Sequence, residues 1–264
     1  MHGKILTIAG SDPSGGAGIQ ADIKTISALG GYGMAAITAL TVQNTCQVSA
    51  VHPVAAPVVK AQVEAVLQDM APDALKLGML ATADNVAALA ELLTSGAAAI
   101  PLVVDPVILS TSGHELLDRR GVALLIAGIF PHVTLLTPNL AEAQGLTNDA
   151  EIATPEDMRR AGEKLLAMGP KAVLVKGGHL AGDRLTDLLI TNEGVTEFSS
   201  ARIPTRHTHG TGCTLAAAIA TGLGQGMAVP DAVGRAHRYV HKAILNAPGY
   251  GRGKGPLNHL VKLD

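Results

Sequence analysis

The stretch KAVLVKGG at residues 171–178 decides the fold class, because apolar residues fill nearly every position before Lys176. A strand with one solvated face alternates apolar and polar residues, whereas a strand covered on both faces does not. The stretch PLVVDP at residues 101–106 has the same character. Both stretches therefore predict central strands of a mostly parallel sheet with helices on both faces.

The segments around these strands alternate between short β-type runs and longer helical patterns. Such alternation implies right-handed crossovers and an α/β fold. Helices are predicted near residues 18–30, 57–70, 82–95, 114–128, 155–168, 212–225 and 230–246, and a minor antiparallel strand pair at 185–191 and 195–199. Since no linker or repeat interrupts the pattern, we expect residues 1–264 to form a single domain.

The charge and composition of the chain argue against several classes of binding partner. The net charge is -2 and no long run of Lys or Arg occurs, so nucleic acid and anionic membranes are not expected as partners. The longest apolar stretch, near residues 122–130, is too short to span a bilayer, and the opening MHGKILTIAG predicts a buried strand rather than a signal peptide. Cys46 and Cys213 lack metal-ligand spacing. We therefore expect a cytoplasmic protein that acts on a small molecule.

Several polar residues come just as an apolar strand ends, and these are Gly10–Asp12, Asp105, Asn139 and Lys176. In an open parallel sheet the ligand lies outside the carboxyl ends of the strands, so these groups should share one edge. The segment THGTGCT at residues 208–214 adds glycines and threonines at the start of a helix, where free amides attract phosphate. An ordinary loop with a helix cap is the alternative reading of this segment.

Three other motifs in the sequence point to different kinds of site. GAGIQA at residues 16–21 fits the dinucleotide fingerprint G-x-G-x-x-A, but residues 30–50 contain no acid to bind a ribose. No G-x-x-x-x-G-K-[ST] motif occurs, which argues against a P-loop enzyme. His237 and His241 are spaced like metal ligands on a helix, but without a third ligand a solvated helix face is favoured.

Eight segments together carry a family resemblance. They are GSDPSGGAGIQADIKT (10–25), QNT (43–45), KLGML (76–80), VVDPV (103–107), TPNLAEA (137–143), KGGH (176–179), HGTGCT (209–214) and GRGKGPLNH (251–259). In this order the chain resembles the hydroxymethylpyrimidine and phosphomethylpyrimidine kinases of the ribokinase-like superfamily. The resemblance implies a ribokinase-like fold, a homodimer, and ATP with Mg²⁺ as cofactors. It also implies phosphorylation of 4-amino-5-hydroxymethyl-2-methylpyrimidine and then of its monophosphate, in thiamine biosynthesis.

The resemblance also implies roles on the donor side. Lys176 resembles a phosphate-contacting lysine, and a surface lysine at a strand end is its alternative. The metal and the nucleotide phosphates are expected near Asp105, Asn139 and Glu142; a turn aspartate and a helix cap are the alternatives there. The anion site and the catalytic group would be formed by Gly210, Thr211, Gly212 and Cys213, with Thr211 also binding the nucleotide.

Cys213 stands where most sugar kinases of this superfamily carry an aspartate base. A free thiol has a pKa of about 8.5, and we expect the helix N-terminus to lower it, so the thiolate can take a proton from a hydroxymethyl group. A phosphate acceptor is already ionised and needs no base. The alternative is a small buried cysteine.

The resemblance places an aminopyrimidine among six further residues, with Asp22 accepting from the exocyclic amine. The expected substrate-binding residues are Gly10, Asp22, Val42, Gln43, Met79 and Val107, with Cys213. Two other functions stay open, namely a pyridoxal or pyridoxine kinase on the same scaffold and a non-catalytic pyrimidine-binding regulatory protein. As alternatives at single positions, Asp22 is a first-turn helix acid and Met79 fills the core.

Overall fold

A computed structural model of the chain describes residues 2–97, 99–108, 116–149, 151–178 and 182–263. The start of the helix predicted at 114–128 and His179 of the KGGH segment lie outside these ranges. Within the ranges, no helix combines the length and the apolarity that crossing a lipid bilayer requires.

Nine strands in the described residues form one sheet. They are β1 Lys4–Ser11, β2 Tyr32–Gln43, β3 Val48–Pro53, β4 Ala74–Leu77, β5 Leu102–Val104, β6 Leu135–Leu136, β7 Ala172–Lys176, β8 Arg184–Thr191 and β9 Gly194–Ala201. Their spatial order is β3-β2-β1-β4-β5-β6-β7-β8-β9. The strands from β2 to β7 in this order pair in parallel, which confirms the predicted sheet.

Both edges of the sheet are antiparallel. Strands β8 and β9 form the predicted hairpin, and β8 pairs with β7. At the opposite edge β3 pairs antiparallel with β2, which the sequence analysis did not predict. Strand β3 is only six residues long and is partly exposed throughout, so it lacks the buried apolar run that marks the central strands.

Eight α-helices accompany the sheet in the described ranges. They are α1 Gly18–Ala28, α2 Ala56–Asp69, α3 Ala83–Leu92, α4 Arg119–Leu124, α5 Leu140–Thr147, α6 Pro155–Leu166, α7 Thr211–Gly224 and α8 Val229–Leu245. Helix α3 continues as a π turn over Leu93–Ala97, and α4 as another over Leu125–Ile129. The predicted helices are therefore present within the described residues. Asn139 immediately precedes α5, as expected for a residue at the start of a helix.

The core lies on both faces of the sheet. In β7, Val173 and Val175 pack into the cluster under α2, α3, α5 and α6, whereas Leu174 between them packs into the cluster under α1, α7 and α8. Successive strand side chains point to opposite faces, so a strand buried on both faces needs an apolar residue at each position. This is the physical reason for the unbroken apolar run at residues 172–175.

Helix α7 is the buried helix that brings the glycine-rich segment to the sheet. Every residue from Thr214 to Leu223 is buried, and four of them are alanines. Such small side chains let the helix pack closely against α1 and α8 on one side and against β1, β4 and β5 on the other. Its N-terminus therefore lies at the carboxyl edge of the central strands, beside the polar residues that end them.

Candidate active site

One cleft of about 620 Å³ runs along the carboxyl edge of the sheet. It brings together residues that are far apart in the sequence. The predicted residues that line it are Gly10, Gln43, Met79, Asp105, Val107, Asn139, Glu142, Lys176, Gly210, Thr211, Gly212 and Cys213. Two predicted residues, Asp22 and Val42, do not line the cleft.

The floor of the cleft is the N-terminus of α7. Gly210 has a positive φ of 80°, and a Cβ there would overlap the carbonyl oxygen of Gly16, so this position needs glycine. No side chain caps the helix, which leaves its first amides unpaired by a cap. A Cβ on Gly212 would lie 3.3 Å from Lys176 Nζ and 3.2 Å from Asp105 Oδ2. The free amides and the Lys176–Asp105 pair therefore face the same space.

Lys176 ends strand β7, and its Nζ donates to Asp105 Oδ1 at 2.7 Å. Thr137 Oγ1 lies 3.3 Å from the same oxygen. Burial disfavours the ammonium, but the charges of Asp105 and Glu142 outweigh burial and raise the pKa of Lys176. A permanent positive charge therefore lies opposite the amides of α7, where anionic phosphate would be stabilised.

Asn139 and Glu142 form a capping box at the start of α5. Asn139 Oδ1 accepts from Glu142 N at 2.9 Å, and Glu142 Oε2 accepts from Asn139 N at 2.8 Å. Burial, helped by the negative charge of Asp105 and opposed by Lys176, raises the pKa of Glu142 to about 7. The helix cap and the cleft-lining position thus occur together, and the two readings of this motif do not exclude each other.

Nothing in the described residues forms a closed metal cage. No group of three or more His, Cys, Asp or Glu side chains there is arranged to hold an ion. Asp105 Oδ1 accepts a hydrogen bond from Lys176, and Glu142 Oε2 accepts one from the Asn139 amide in the helix cap. Such sparse oxygen donors fit an ion that keeps most of its waters and binds phosphates, as Mg²⁺ does.

Cys213 has a pKa that differs from the expected one. Burial raises the pKa of its thiol to about 11, and the charges of Asp22 and Asp105 act in the same direction. Lys76 and a hydrogen bond from the Gly18 backbone oppose the increase without cancelling it. The expectation of a lowered pKa is therefore wrong, because loss of solvent around the thiol outweighs the influences that lower it.

Asp22 lies beneath the cleft rather than on its wall. Its side chain is fully buried, and Oδ2 accepts from Lys76 Nζ at 2.8 Å and from Thr7 Oγ1 at 2.5 Å. Lys76, also fully buried, does line the cleft. Asp22 therefore pairs the buried lysine through Oδ2, and its contact with an acceptor amine stays a prediction.

Val42 lies on the outer face of β2. Thr41 and Gln43 line the cleft, and the intervening side chain must point the other way because strand side chains alternate. Val42 is 52% exposed, as is Leu40 two positions earlier on the same face. The Val42 side chain therefore points away from the cleft, and the role of this residue in the acceptor pocket stays a prediction.

The far end of the cleft contains two histidines that the sequence analysis assigned to a solvated helix face. His237 and His241 on α8 line it together with Asp187 of β8, so they do not form a solvated face. His237 Nε2 lies 3.8 Å from Asp187 Oδ2. The available signal was the buried stripe of α8, in which Ala236 and Val240 immediately precede these histidines.

The family described as Phosphomethylpyrimidine kinase matches residues 12–258 of the chain. A Hydroxymethylpyrimidine/phosphomethylpyrimidine kinase of Rhizobium meliloti is 48% identical over 257 residues, which cover 96% of each chain. The Thiamine biosynthesis bifunctional protein ThiED of Geobacter sulfurreducens is 46% identical over 263 residues. That match takes in 100% of the present chain but only 53% of the Geobacter protein.

Two solved structures have the same architecture. The phosphomethylpyrimidine kinase of Clostridium difficile is 41% identical, with a TM-score of 0.81 over 91% of this chain and 99% of that one. The pyridoxal kinase of Staphylococcus aureus, solved in complex with AMP-PCP and pyridoxal, is 34% identical, with a TM-score of 0.90 over 98% of this chain and 94% of that one. The family resemblance indicated by the sequence motifs therefore extends over nearly the whole fold.

Proposed function

Since this chain belongs to the phosphomethylpyrimidine kinase family and is a phosphotransferase of thiamine biosynthesis, we propose the following chemistry for its cleft. The γ-phosphoryl group of ATP passes to the hydroxymethyl oxygen of 4-amino-5-hydroxymethyl-2-methylpyrimidine, and a second one to the resulting monophosphate. In each transfer the acceptor oxygen forms a bond to phosphorus as the bond to ADP breaks. The assignment of ATP rests on kinase relatives, one of which binds AMP-PCP, an ATP analogue.

One observation carries the proposal: the free amides of α7 face Lys176 across the cleft. Phosphoryl transfer asks a protein mainly to position its reactants and to neutralise charge on the migrating group. Amides of Gly212 and Cys213 supply donors fixed in place, and Lys176 supplies a positive charge held by Asp105. Preorganised donors of this kind stabilise a developing charge without reorganising.

Mg²⁺ fits between these groups as a second source of positive charge. Asp105, Asn139 and Glu142 would hold it through water, next to the nucleotide phosphates. When bound, the ion neutralises phosphate oxygens and helps to orient them. The chain's own contribution is the capping box, which fixes the Glu142 carboxylate in the cleft.

The acceptor would lie at the end of the cleft formed by Gly10, Gln43, Met79 and Val107. A Cβ on Gly10 would approach Met79 Sδ to 3.2 Å, so glycine keeps this wall open for a flat ring. Cys213 lines the same cleft as these residues and Lys176, and we assign it the role of taking the proton from the hydroxymethyl group. A thiolate is required for that step, and buried Lys76 is the positive charge that favours it.

The pyridoxal kinase alternative is supported by the Staphylococcus aureus structure, whose protein binds pyridoxal on the same scaffold. A side-by-side assay of the purified chain with the pyrimidine alcohol, its monophosphate and pyridoxal distinguishes these functions. We expect ADP release with both pyrimidines and a much lower kcat/KM with pyridoxal. Turnover of pyridoxal alone would overturn the assigned substrate, and ADP release with none of them would overturn the kinase assignment.

Three broader features belong to the same proposal. A homodimer is supported by the exposed apolar face of β2, where Leu40 and Val42 are each 52% exposed. A single domain is supported by the one sheet that runs through all nine described strands. A cytoplasmic location is supported by the donor, because ATP is supplied there.

A further inference from the structure

The loop between β1 and α1 folds around the carboxylate of Asp12. Asp12 Oδ1 accepts from Ser14 N at 2.9 Å, and Oδ2 accepts from Ala17 N at 2.9 Å and from Gly16 N at 3.2 Å. Burial favours the neutral acid, but hydrogen bonds from His209 and Ser14 outweigh burial and lower the pKa of Asp12 to about 2. A carboxyl group that accepts on both oxygens is ionised and can only accept further bonds.

His209 is the residue that reaches this carboxylate from the glycine-rich segment. Its Nε2 lies 2.8 Å from Asp12 Oδ2, and both side chains are buried. Because the carboxylate can only accept, Nε2 must carry the hydrogen and donate it. The backbone is close as well, since a Cβ on Gly16 would overlap the His209 ring. The pair therefore ties the β1–α1 loop to the residue that precedes Gly210.

Gln43 contacts the same ring nitrogen, since its amide Nε2 lies 3.3 Å from His209 Nε2. Two donors cannot bond to each other, so the favourable orientation turns the amide oxygen toward His209, where it shares the Nε2–H with Asp12 Oδ2 in a three-centre hydrogen bond. An amide flip of this kind is assigned from the surrounding hydrogen bonds. The flipped amide directs its nitrogen to Thr41 Oγ1, at 3.2 Å, which already donates to Ser11 O and can accept. One amide N–H is then left for the cleft.

We propose that Asp12 and His209 are positioning residues that fix the Gln43 amide so that it donates an N–H to a ring nitrogen of the acceptor. The preferred acceptor is then an aromatic heterocycle with an unprotonated ring nitrogen at that place. The inference rests on the proposed function for the location of the acceptor. It adds that acceptor selection depends on a buried carboxylate and a histidine that need not touch the acceptor.

A double-mutant cycle on acceptor binding tests this inference. The variants His209→Leu, Gln43→Ala and the two combined are titrated with the pyrimidine alcohol by calorimetry, which needs no ATP and no turnover. We expect each single substitution to weaken binding by about tenfold and the double variant to bind as Gln43→Ala does, because coupled residues are not additive. His209→Gln, which keeps a donor for Asp12, should bind within about threefold of the unmodified chain.

Losses that multiply in the double variant would overturn the inference, because His209 would then act without Gln43. The matched control is His132→Leu, because His132 lies outside the cleft. It should leave binding unchanged both in the unmodified chain and in Gln43→Ala. Melting temperatures establish that each variant is folded before binding is compared. If the unmodified chain binds the pyrimidine without phosphorylating it, the proposed function fails while this cycle remains decisive.

Discussion

At the scale of single residues, the thiol of Cys213 makes the sharpest prediction. Replacing it in Cys213→Ala should lower kcat for the alcohol by roughly 10²-fold, the usual range for loss of a general base. The rate with the monophosphate should change far less, because that acceptor is already ionised. Steady-state kinetics with both acceptors measure the difference. Equal losses would remove the base role, and Cys46→Ala, at an exposed cysteine, is the control.

The pKa of about 11 adds a dependence on pH. Below that value the thiolate fraction rises about tenfold for each pH unit, so the rate with the alcohol should rise with it from pH 7 to pH 10. Phosphorylation of the monophosphate needs no thiolate, so its rate should stay nearly constant over this pH range. The ratio of the two rates, measured across this range, is the observable. A ratio that does not change with pH would contradict proton transfer to Cys213.

Lys176 gives a second prediction at this scale. Lys176→Met removes the positive charge that faces the α7 amides, and kcat for both acceptors should fall by roughly 10²-fold or more. The free energy of unfolding should fall too, because Asp105 is left buried without its partner. Rates are therefore compared per folded protein. Lys171→Met, at an exposed lysine just before the same strand, should leave kcat unchanged, and similar losses in both variants would refute the role of Lys176.

Individual site residues were predictable where they come at the end of a buried apolar strand. Asp105 and Lys176 end buried apolar runs, and the sheet brings such ends together whatever else the fold does. Asp22 and Cys213 were not predictable in the same way. Their behaviour depends on burial and on the charge of Lys76, and neither is visible until the strands are packed. The orientation of Val42 depended on the register of β2.

At the scale of one element, helix α5 joins stability to the site through Glu142. The pKa of about 7 lies above the usual value for this carboxyl, so ionisation is disfavoured in the folded chain. Its contribution to stability is therefore present below about pH 4.5 and is lost as pH rises through 7. Glu142→Gln keeps a side chain that suits the capping box and removes the charge. It should raise the free energy of unfolding by about 2 kcal/mol more at pH 8 than at pH 5.

Urea unfolding at the two pH values measures this difference. The same variant should need more Mg²⁺ for its half-maximal rate, because one oxygen ligand of the proposed ion is replaced by an amide. Glu163→Gln, at an exposed glutamate on α6, is the control and should show neither effect. An equal change in stability at both pH values would show that the charge of Glu142 is not the cause.

Elements were predictable where their periodicity was strong. Helices α1, α2, α6, α7 and α8 begin and end within about two residues of the predicted bounds. Strand β3 was missed because Val48–Pro53 is short and carries no buried run, and its existence depends on β2 extending beyond the body of the sheet. Tertiary pairing, rather than local preference, forms an edge strand of this kind.

At the scale of the whole molecule, the two edges of the sheet differ in what they expose. Strands β2 and β3 form a hairpin at one edge, with Thr41 and Gln43 toward the cleft and Leu40 and Val42 toward solvent. At the other edge, β9 exposes Val195 near the hairpin turn. Neighbouring apolar side chains on an exposed face of a sheet are the kind of surface that a second copy covers.

The double variant Leu40→Glu/Val42→Glu should therefore convert a dimer into a monomer, because like charges would face each other across a self-complementary interface. Light scattering coupled to size-exclusion chromatography measures the mass, and circular dichroism checks the fold. Val195→Glu places one such charge at the opposite edge and should leave the mass unchanged. The acceptor end of the cleft shares strand β2 with this surface, so dissociation should also weaken binding of the pyrimidine. A variant that stays dimeric, or a chain that is monomeric without any substitution, would exclude this hairpin as the interface.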